Sequence, residues 1–162
     1  MDTITILSNL NPTDLDAGTV FSRTPSGTPV KGYAQPSPFT PKRNPDYVFH
    51  EHSRDLVVWF IAPPSPLYVS GPARRAKSSM INQLAARLNY PTFEVTGHNH
   101  LEFQDLVGHL SVQNGNMVFE YGPLALAMRF GGLLLLNELD LLDPATAAGL
   151  NGILDGQPLC IP

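Results

Sequence analysis

The sequence predicts an α/β fold, a parallel sheet flanked by helices, preceded by a loose N-terminal arm. Three observations carry that expectation. Short strand-like segments alternate with segments of helical period along residues 46–162. The strand-like segments are apolar on both faces, as strands covered by helices on each side must be. Proline is concentrated at the other end, where ten of the 16 prolines fall within the first 66 residues.

The arm is taken as residues 1–45. From Thr19 to Pro45 it consists of Ser, Thr, Gly and Pro with few large apolar side chains. That composition buries too little surface to offset the entropy of ordering it. The run Gln35-Pro36-Ser37-Pro38-Phe39-Thr40-Pro41 favours extended, polyproline-like conformations. It reads as a tether, with an SH3-type ligand as the alternative. Within the arm, Thr3 to Leu7 alternates apolar and polar residues and predicts a short strand.

From Asp46 the elements follow in order. Glu51 to Ala62 is a helix stopped by Pro63-Pro64. Its run Val57, Val58, Trp59, Phe60 and Ile61 is expected to pack into the core, with a subunit contact as the alternative. Leu67 to Ser70 is a short buried strand running into Gly71-Pro72. Ser78 to Asn89 carries Met80, Ile81, Leu84, Ala85 and Leu88 at helical spacing and ends at Tyr90-Pro91. Thr92 to Val95 is a second strand, and Leu101 to Val107 a short helix with Glu102 and Asp105 as first-turn acids. Asn114-Gly115, between Leu110-Ser111-Val112 and Met117-Val118-Phe119, predicts a hairpin with a type I′ turn, whose two central residues need positive φ. Pro123 to Arg129 is helical with proline in its first turn. Gly131-Gly132 feeds the apolar strand Leu133 to Leu136. Asp143 then caps a helix that opens on Pro144 and runs to about Leu154.

Composition narrows the function classes. The 162 residues suit one ordinary domain, or a smaller one with an arm. A single cysteine excludes an intrachain disulfide or a cysteine-based zinc site and points to a reducing, cytoplasmic setting. The apolar run Leu133 to Leu136 is far short of a membrane span. Met1-Asp2-Thr3-Ile4 has no basic region leading into an apolar stretch, so no secretory leader is expected. The net charge is −4, with about +1 in the first 45 residues and −5 in the rest, which gives no reason to expect nucleic-acid binding.

Two constellations carry chemistry. The first is Gly71-Pro72-Ala73-Arg74-Arg75-Ala76-Lys77-Ser78, placed between the strand ending at Ser70 and the helix from Ser78. It has the position, length and ending of a phosphate loop, G-x-x-x-x-G-K-[ST]. In such a loop backbone N–H groups wrap the phosphates, a lysine meets the β/γ oxygens and a hydroxyl meets Mg²⁺. Lys77 and Ser78 supply the last two, but Ala76 stands where the second glycine is required. The alternative is a basic helix N-terminus with nothing bound. The second constellation is Leu133-Leu134-Leu135-Leu136-Asn137-Glu138, an apolar strand ending in two polar residues. It has the form of a Walker B element, in which an Asp holds Mg²⁺ and a Glu polarises water.

Together these residues resemble AAA+ ATPases of the MoxR and cobaltochelatase-ATPase-subunit (dynein-related) type. The resemblance also rests on Leu101 to Tyr121, on Gly122-Pro123-Leu124-Ala125-Leu126-Ala127-Met128-Arg129, and on Glu138 to Thr146. It covers residues 46–162, read as a partial AAA+ nucleotide-binding core. It implies a P-loop NTPase fold and an ATP-driven remodelling ring, a homo-oligomer acting on a protein partner, with ATP and Mg²⁺ as cofactors. It further implies nucleotide contacts from Gly71 through Ser79, with Lys77 on the β/γ-phosphates, Ser78 and Asn137 at the Mg²⁺ position, and Glu138 orienting water.

The sequence departs from the family pattern in three places. Arg74 and Ala76 replace loop glycines, where a Cβ costs on the order of 1–3 kcal/mol if the geometry is kept. Asn137 replaces an acid and brings no charge to a hard cation. The family's sheet order, 5-1-4-3-2, puts a strand beyond Pro162 between Leu67–Ser70 and Leu133–Leu136. Both are therefore expected to lack a neighbour, as in a fragment of a larger protein or a decayed copy. The alternative function is a non-catalytic interaction module that no longer binds nucleotide. On this reading Arg74→Gly, Ala76→Gly and Asn137→Asp together raise nucleotide affinity. His98 and His100, with His109 further on, read as surface loop, and His50 and His52 as a solvated helix start.

Overall fold

A computed structural model describes residues 2–21, 24–49, 53–62, 66–72 and 76–161. The chain forms two compact units, residues 1–92 and 93–162. The sheets are all two-stranded among the described residues.

In the first unit, α1 (Thr3–Ser8) leads to β1 (Pro12–Asp16), α2 (Ala17–Val20) and β2 (Pro29–Tyr33), followed by α3 (Ser53–Ile61) and α4 (Lys77–Arg87). The strands β1 and β2 pair antiparallel, with Asp14 opposite Lys31 and an ion pair of 2.8 Å between them. Where composition predicts a loose arm, the structure has packed elements. The apolar side chains in this stretch are few but well placed: Leu7, Ala17, Phe21, Val30 and Tyr33 are all buried. Thr3 to Leu7, expected as a strand, is helical. A strand needs a partner edge, whereas a helix satisfies its own backbone, and Asn9 closes this one by donating its Nδ2 to the Thr5 carbonyl at 2.8 Å.

The proline-rich segment is likewise held, chiefly by the end of α4. The Tyr33 amide donates to the Leu88 carbonyl at 2.9 Å, and the Asn89 side chain donates to the Tyr33 carbonyl at 2.8 Å. Gln83 on α4 accepts from the Asn44 amide and donates to the Lys42 carbonyl. The buried face of α4 is Ile81, Leu84, Ala85 and Ala86, which includes three of the residues that the spacing predicts, while Met80 is half-buried and Leu88 is buried just past the helix end. On α3 the inward pair is Leu56 and Phe60, while Val58 is exposed. Five consecutive residues cannot share one helix face, so the expected block at 57–61 is split by the 3.6-residue period. The start of that helix at 51–52 and its stop at 63–64 lie outside the described residues, as do His50 and His52.

Residues 67–70, expected as a buried strand, join no ladder among the described residues, and Leu67 and Tyr68 are 44% and 73% exposed. A strand exists only by pairing, and no described segment offers these residues an edge.

The second unit comprises the rest of β3 (Thr92–Thr96), then α5 (Phe103–Val107), β4 (Gly108–Gln113), β5 (Asn116–Tyr121), α6 (Pro123–Phe130), β6 (Leu133–Asn137) and α7 (Pro144–Leu154). The strands β3 and β6 are neighbours in a parallel sheet. Their core is Leu101, Leu106, Val107, Leu124, Leu142 and Leu150, with Val95, Leu134 and Leu136 packed against it. Glu102 and Asp105 form a reciprocal capping box at the start of α5. The hairpin turn has φ of 52° at Asn114 and 82° at Gly115, the pair of positive values expected of type I′. Asp143 caps α7 by accepting from the Ala145 amide at 2.9 Å, and Thr146 satisfies its buried hydroxyl on the Leu101 carbonyl at 2.8 Å.

One carboxylate organises the β1–β2 connection. Asp16 accepts from the Gly27 amide at 2.7 Å, the Thr19 hydroxyl at 2.7 Å, the Gly18 amide at 3.2 Å and the Ser26 hydroxyl at 3.3 Å. These bonds, the Thr19 hydroxyl first, hold its pKa below the ordinary carboxylate value. A group with a lowered folded pKa stabilises above its unfolded value and loses that contribution as pH falls through the folded one. Asp16→Asn is therefore expected to flatten the acid limb of the stability curve below about pH 4, and to lower the melting temperature at neutral pH, both read by thermal denaturation across pH.

Candidate nucleotide site

Of the loop before α4 the structure describes Gly71, Pro72 and Ala76. Ala76 has φ 54° and ψ 29°, the left-handed conformation for which the motif carries glycine. An L-residue there costs roughly 1–2 kcal/mol relative to right-handed backbone. The turn is held because α4 starts immediately after it: the Ala76 carbonyl accepts from the Met80 amide at 2.9 Å, closing the first helical bond. Lys77 folds back over the loop, its Nζ donating to the Gly71 carbonyl at 2.9 Å and the Pro72 carbonyl at 3.1 Å. The first unit thus brings together Gly71, Pro72, Ala76, Lys77, Ser78 and Ser79 around one helix N-terminus, where unpaired N–H groups and the helix dipole favour an anion. Ala73, Arg74 and Arg75 lie outside the described residues.

The other predicted residues stand in the second unit, at the end of β6. Asn137 is its last residue, and its Nδ2 donates to Glu94 Oε1 on β3 at 2.6 Å. Glu138 follows with φ 52° and ψ 49°, a second left-handed residue that is not glycine, and its carbonyl accepts from the Leu141 amide at 3.0 Å. Its side chain is exposed. Strained backbone of this kind persists only where the surroundings over-determine it.

Gly97 is one source of that constraint. Its amide donates to the Asn137 carbonyl at 2.8 Å, and a Cβ built on it would lie 2.5 Å from the Glu138 carbonyl oxygen. Neither Gly97 nor Glu94 is singled out by motif reading. The available signal for Glu94 was a lone charge in a strand otherwise read as buried. For Gly97 it was a glycine directly after that strand.

The residues fit the group that the motif implies. Ala76 has left-handed backbone, and Lys77 carries a cation held, among the described residues, only by the neutral Gly71 and Pro72 carbonyls, a group suited to phosphate oxygens. The Ser78 hydroxyl, Asn137 amide oxygen and Glu138 carboxylate are hard oxygen donors of the kind Mg²⁺ prefers. Among the described residues no group of three or more His, Cys, Asp and Glu converges. His98 Nδ1 instead accepts from the His100 amide at 3.2 Å within its own loop. No helix among the described residues is long and apolar enough to cross a membrane.

A family model for the AAA domain of the dynein-related subfamily matches residues 66–162. The chain is 31% identical over 138 residues to the aerobic cobaltochelatase subunit CobS of a Sinorhizobium species, covering 83% of this chain and 41% of that protein. It is 34% identical over 110 residues to the gas vesicle ATPase GvpN of Ancylobacter aquaticus, covering 66% and 28%. It is 33% identical over 99 residues to midasin of Dictyostelium discoideum, covering 60% of this chain and 2% of that much longer protein. The chain therefore spans well under half the length of each of these relatives.

Two substitutions test the backbone reading. Ala76→Gly removes the strain at the loop and is expected to leave stability unchanged or raise it by up to about 1 kcal/mol, read as the midpoint of urea unfolding. Gly97→Ala forces a methyl group onto the Glu138 carbonyl and is expected to cost about 1–3 kcal/mol in the same measurement.

Proposed function

The chain belongs to the dynein-related subfamily of AAA domains, and from that premise we propose that it is an ATP-binding core of a remodelling ATPase, taking Mg-ATP at residues 71–79. The observation that carries this reading is Ala76. Its backbone is left-handed, a conformation unfavourable for a residue with a Cβ, at the position where the motif carries glycine, which supports a retained function for the loop. Residues 46–162 form the partial nucleotide-binding core in this proposal. The similarity to a gas vesicle ATPase supports ATP as the ligand class.

Each residue then has a role that its chemistry allows. The loop amides of residues 71–79 bind phosphate oxygens, and Lys77 exchanges the Gly71 and Pro72 carbonyls for the β/γ-phosphates. Ser78 and Asn137 hold Mg²⁺, which supplies charge neutralisation at the phosphoryl oxygens when bound. Glu138 orients the attacking water from an exposed position on a rigid turn. Asn137 is neutral, so the cation is held less firmly than by an acid, and turnover by this chain alone is slow. A protein partner, a homo-oligomeric ring and a cytoplasmic setting complete the proposal.

A second reading, a non-catalytic module acting through protein contacts, is favoured by one observation. Asn137 stands where the motif has an acid, and its amide is engaged by Glu94. Calorimetric titration of the chain with ATP separates the two. Micromolar binding that tightens with Mg²⁺, and that weakens at least about tenfold in Lys77→Ala, a loss of about 1.4 kcal/mol, supports the ATP-binding core. No binding, or binding indifferent to Lys77→Ala, supports the module.

A further inference from the structure

The C-terminal turn of α4, within the first unit, gathers cations that no acid balances. Gln83 holds the segment before α3 against this turn, accepting from the Asn44 amide at 2.9 Å and donating to the Lys42 carbonyl at 3.0 Å. Arg87 lies four residues further along the same helix face. Its Nη1 donates to the Gln83 carbonyl at 2.9 Å and to Gln83 Oε1 at 3.2 Å. Gln83 thereby brings Lys42 and Arg43 beside Arg87. The Arg87 guanidinium sits over the Phe49 ring, 4.5 Å from its centroid, and Tyr47 braces that ring edge-on at 5.0 Å.

Arg87 is half-buried, and the titratable side chains that act on it are Arg43 and Tyr47, with no carboxylate among them. Burial first, and the Arg43 cation after it, hold its pKa below the ordinary value, while an arginine stays protonated all the same. Among the described residues no ion pair joins Lys42, Arg43 or Arg87 to an acid. The helix dipole favours a cation at this end of α4, which accounts for Arg87 but not for Lys42 and Arg43 on a separate segment. Like charges set side by side cost energy that an oxyanion between them offsets.

We propose that Arg87 and Arg43, with Lys42 at the rim, form a docking surface for an acidic segment of a protein partner. The Phe49 ring and the Gln83 carbonyl fix the guanidinium of Arg87 and leave its Nε and Nη2 edge for a carboxylate, which that edge meets with two parallel donors. Val48, 77% exposed in the same segment, suits an apolar residue next to the acid. A nucleic acid is disfavoured, because Asp46 stands exposed in this segment and the chain carries a net charge of −4. The surface lies at the opposite end of α4 from Lys77, so it stands or falls separately from the nucleotide reading.

The probe is a fluorescein-labelled peptide of alternating glutamate and leucine, titrated with the full chain and followed by fluorescence anisotropy. The native chain is expected to bind it with a dissociation constant below about 1 mM. The double variant Arg43→Gln, Arg87→Gln is expected to weaken binding at least about tenfold, with folding checked by circular dichroism. Arg43→Gln alone, at an exposed side chain with no hydrogen bond among the described residues, is expected to weaken it about threefold. Lys31→Gln, which removes a cation on β2, is expected to change it by less than that. No binding by the native chain, equal binding of a peptide with glutamine in place of glutamate, or the same loss in Lys31→Gln as in Arg43→Gln overturns the proposal. Tighter binding of inorganic phosphate or of single-stranded DNA than of the peptide, lost in the double variant, overturns the assignment to a protein partner.

Discussion

Pairing is the constraint on which the rest of this structure depends. Every sheet among the described residues has two strands, and two strands in water are marginal unless a helix or loop covers them. In the first unit the cover comes from α3, α4 and the segment from Tyr33 to Asn44, which is bonded to the end of α4. In the second it comes from α5, α6 and α7, closing over Leu106, Leu124 and Leu150. Leu67 to Ser70 shows the same rule from its other side. Its side chains suit a strand, but no described segment pairs with it, and Leu67 and Tyr68 are exposed.

The two candidate segments each inherit their geometry from these supports. The turn at Ala76 is fixed because α4 begins at the next residue and is anchored along its buried face. The strand end at Asn137 is fixed because β6 is tied to β3 through Gly97, and the tight approach there admits no side chain. Two residues that are not glycine, Ala76 and Glu138, hold left-handed backbone at the two places where the family's chemistry is expected. Strain at both positions, each braced by an adjoining element, is the arrangement anticipated where function rather than stability selects the conformation.

The departures from the motif have unlike consequences. Ala76 changes the energy of the loop while its own backbone stays left-handed. Asn137 brings no charge where the motif has an acid, and its amide donates to Glu94 on the neighbouring strand.

Local chemistry was legible without the structure. The Asn114-Gly115 turn, the caps at Asp143 and Gly122-Pro123, the apolar face of α4 and the phosphate-loop ending at Lys77-Ser78 all follow from the conformational limits of individual residues and from periodicity. The packing of residues 2–21 and 24–49 was not legible. Composition averages over a segment, whereas its packing depends on five buried side chains and on bonds to residues some fifty positions away, such as Asn89 to Tyr33. Nor was the pairing of Glu94 with Asn137, 43 residues apart. The sequence alone determined which segments turn, cap and coil and which family they belong to, because those properties reside in neighbouring residues. Tertiary structure alone decided which strand found a partner and which carboxylate met Asn137, because strand pairing and charge contact are set by distance in space.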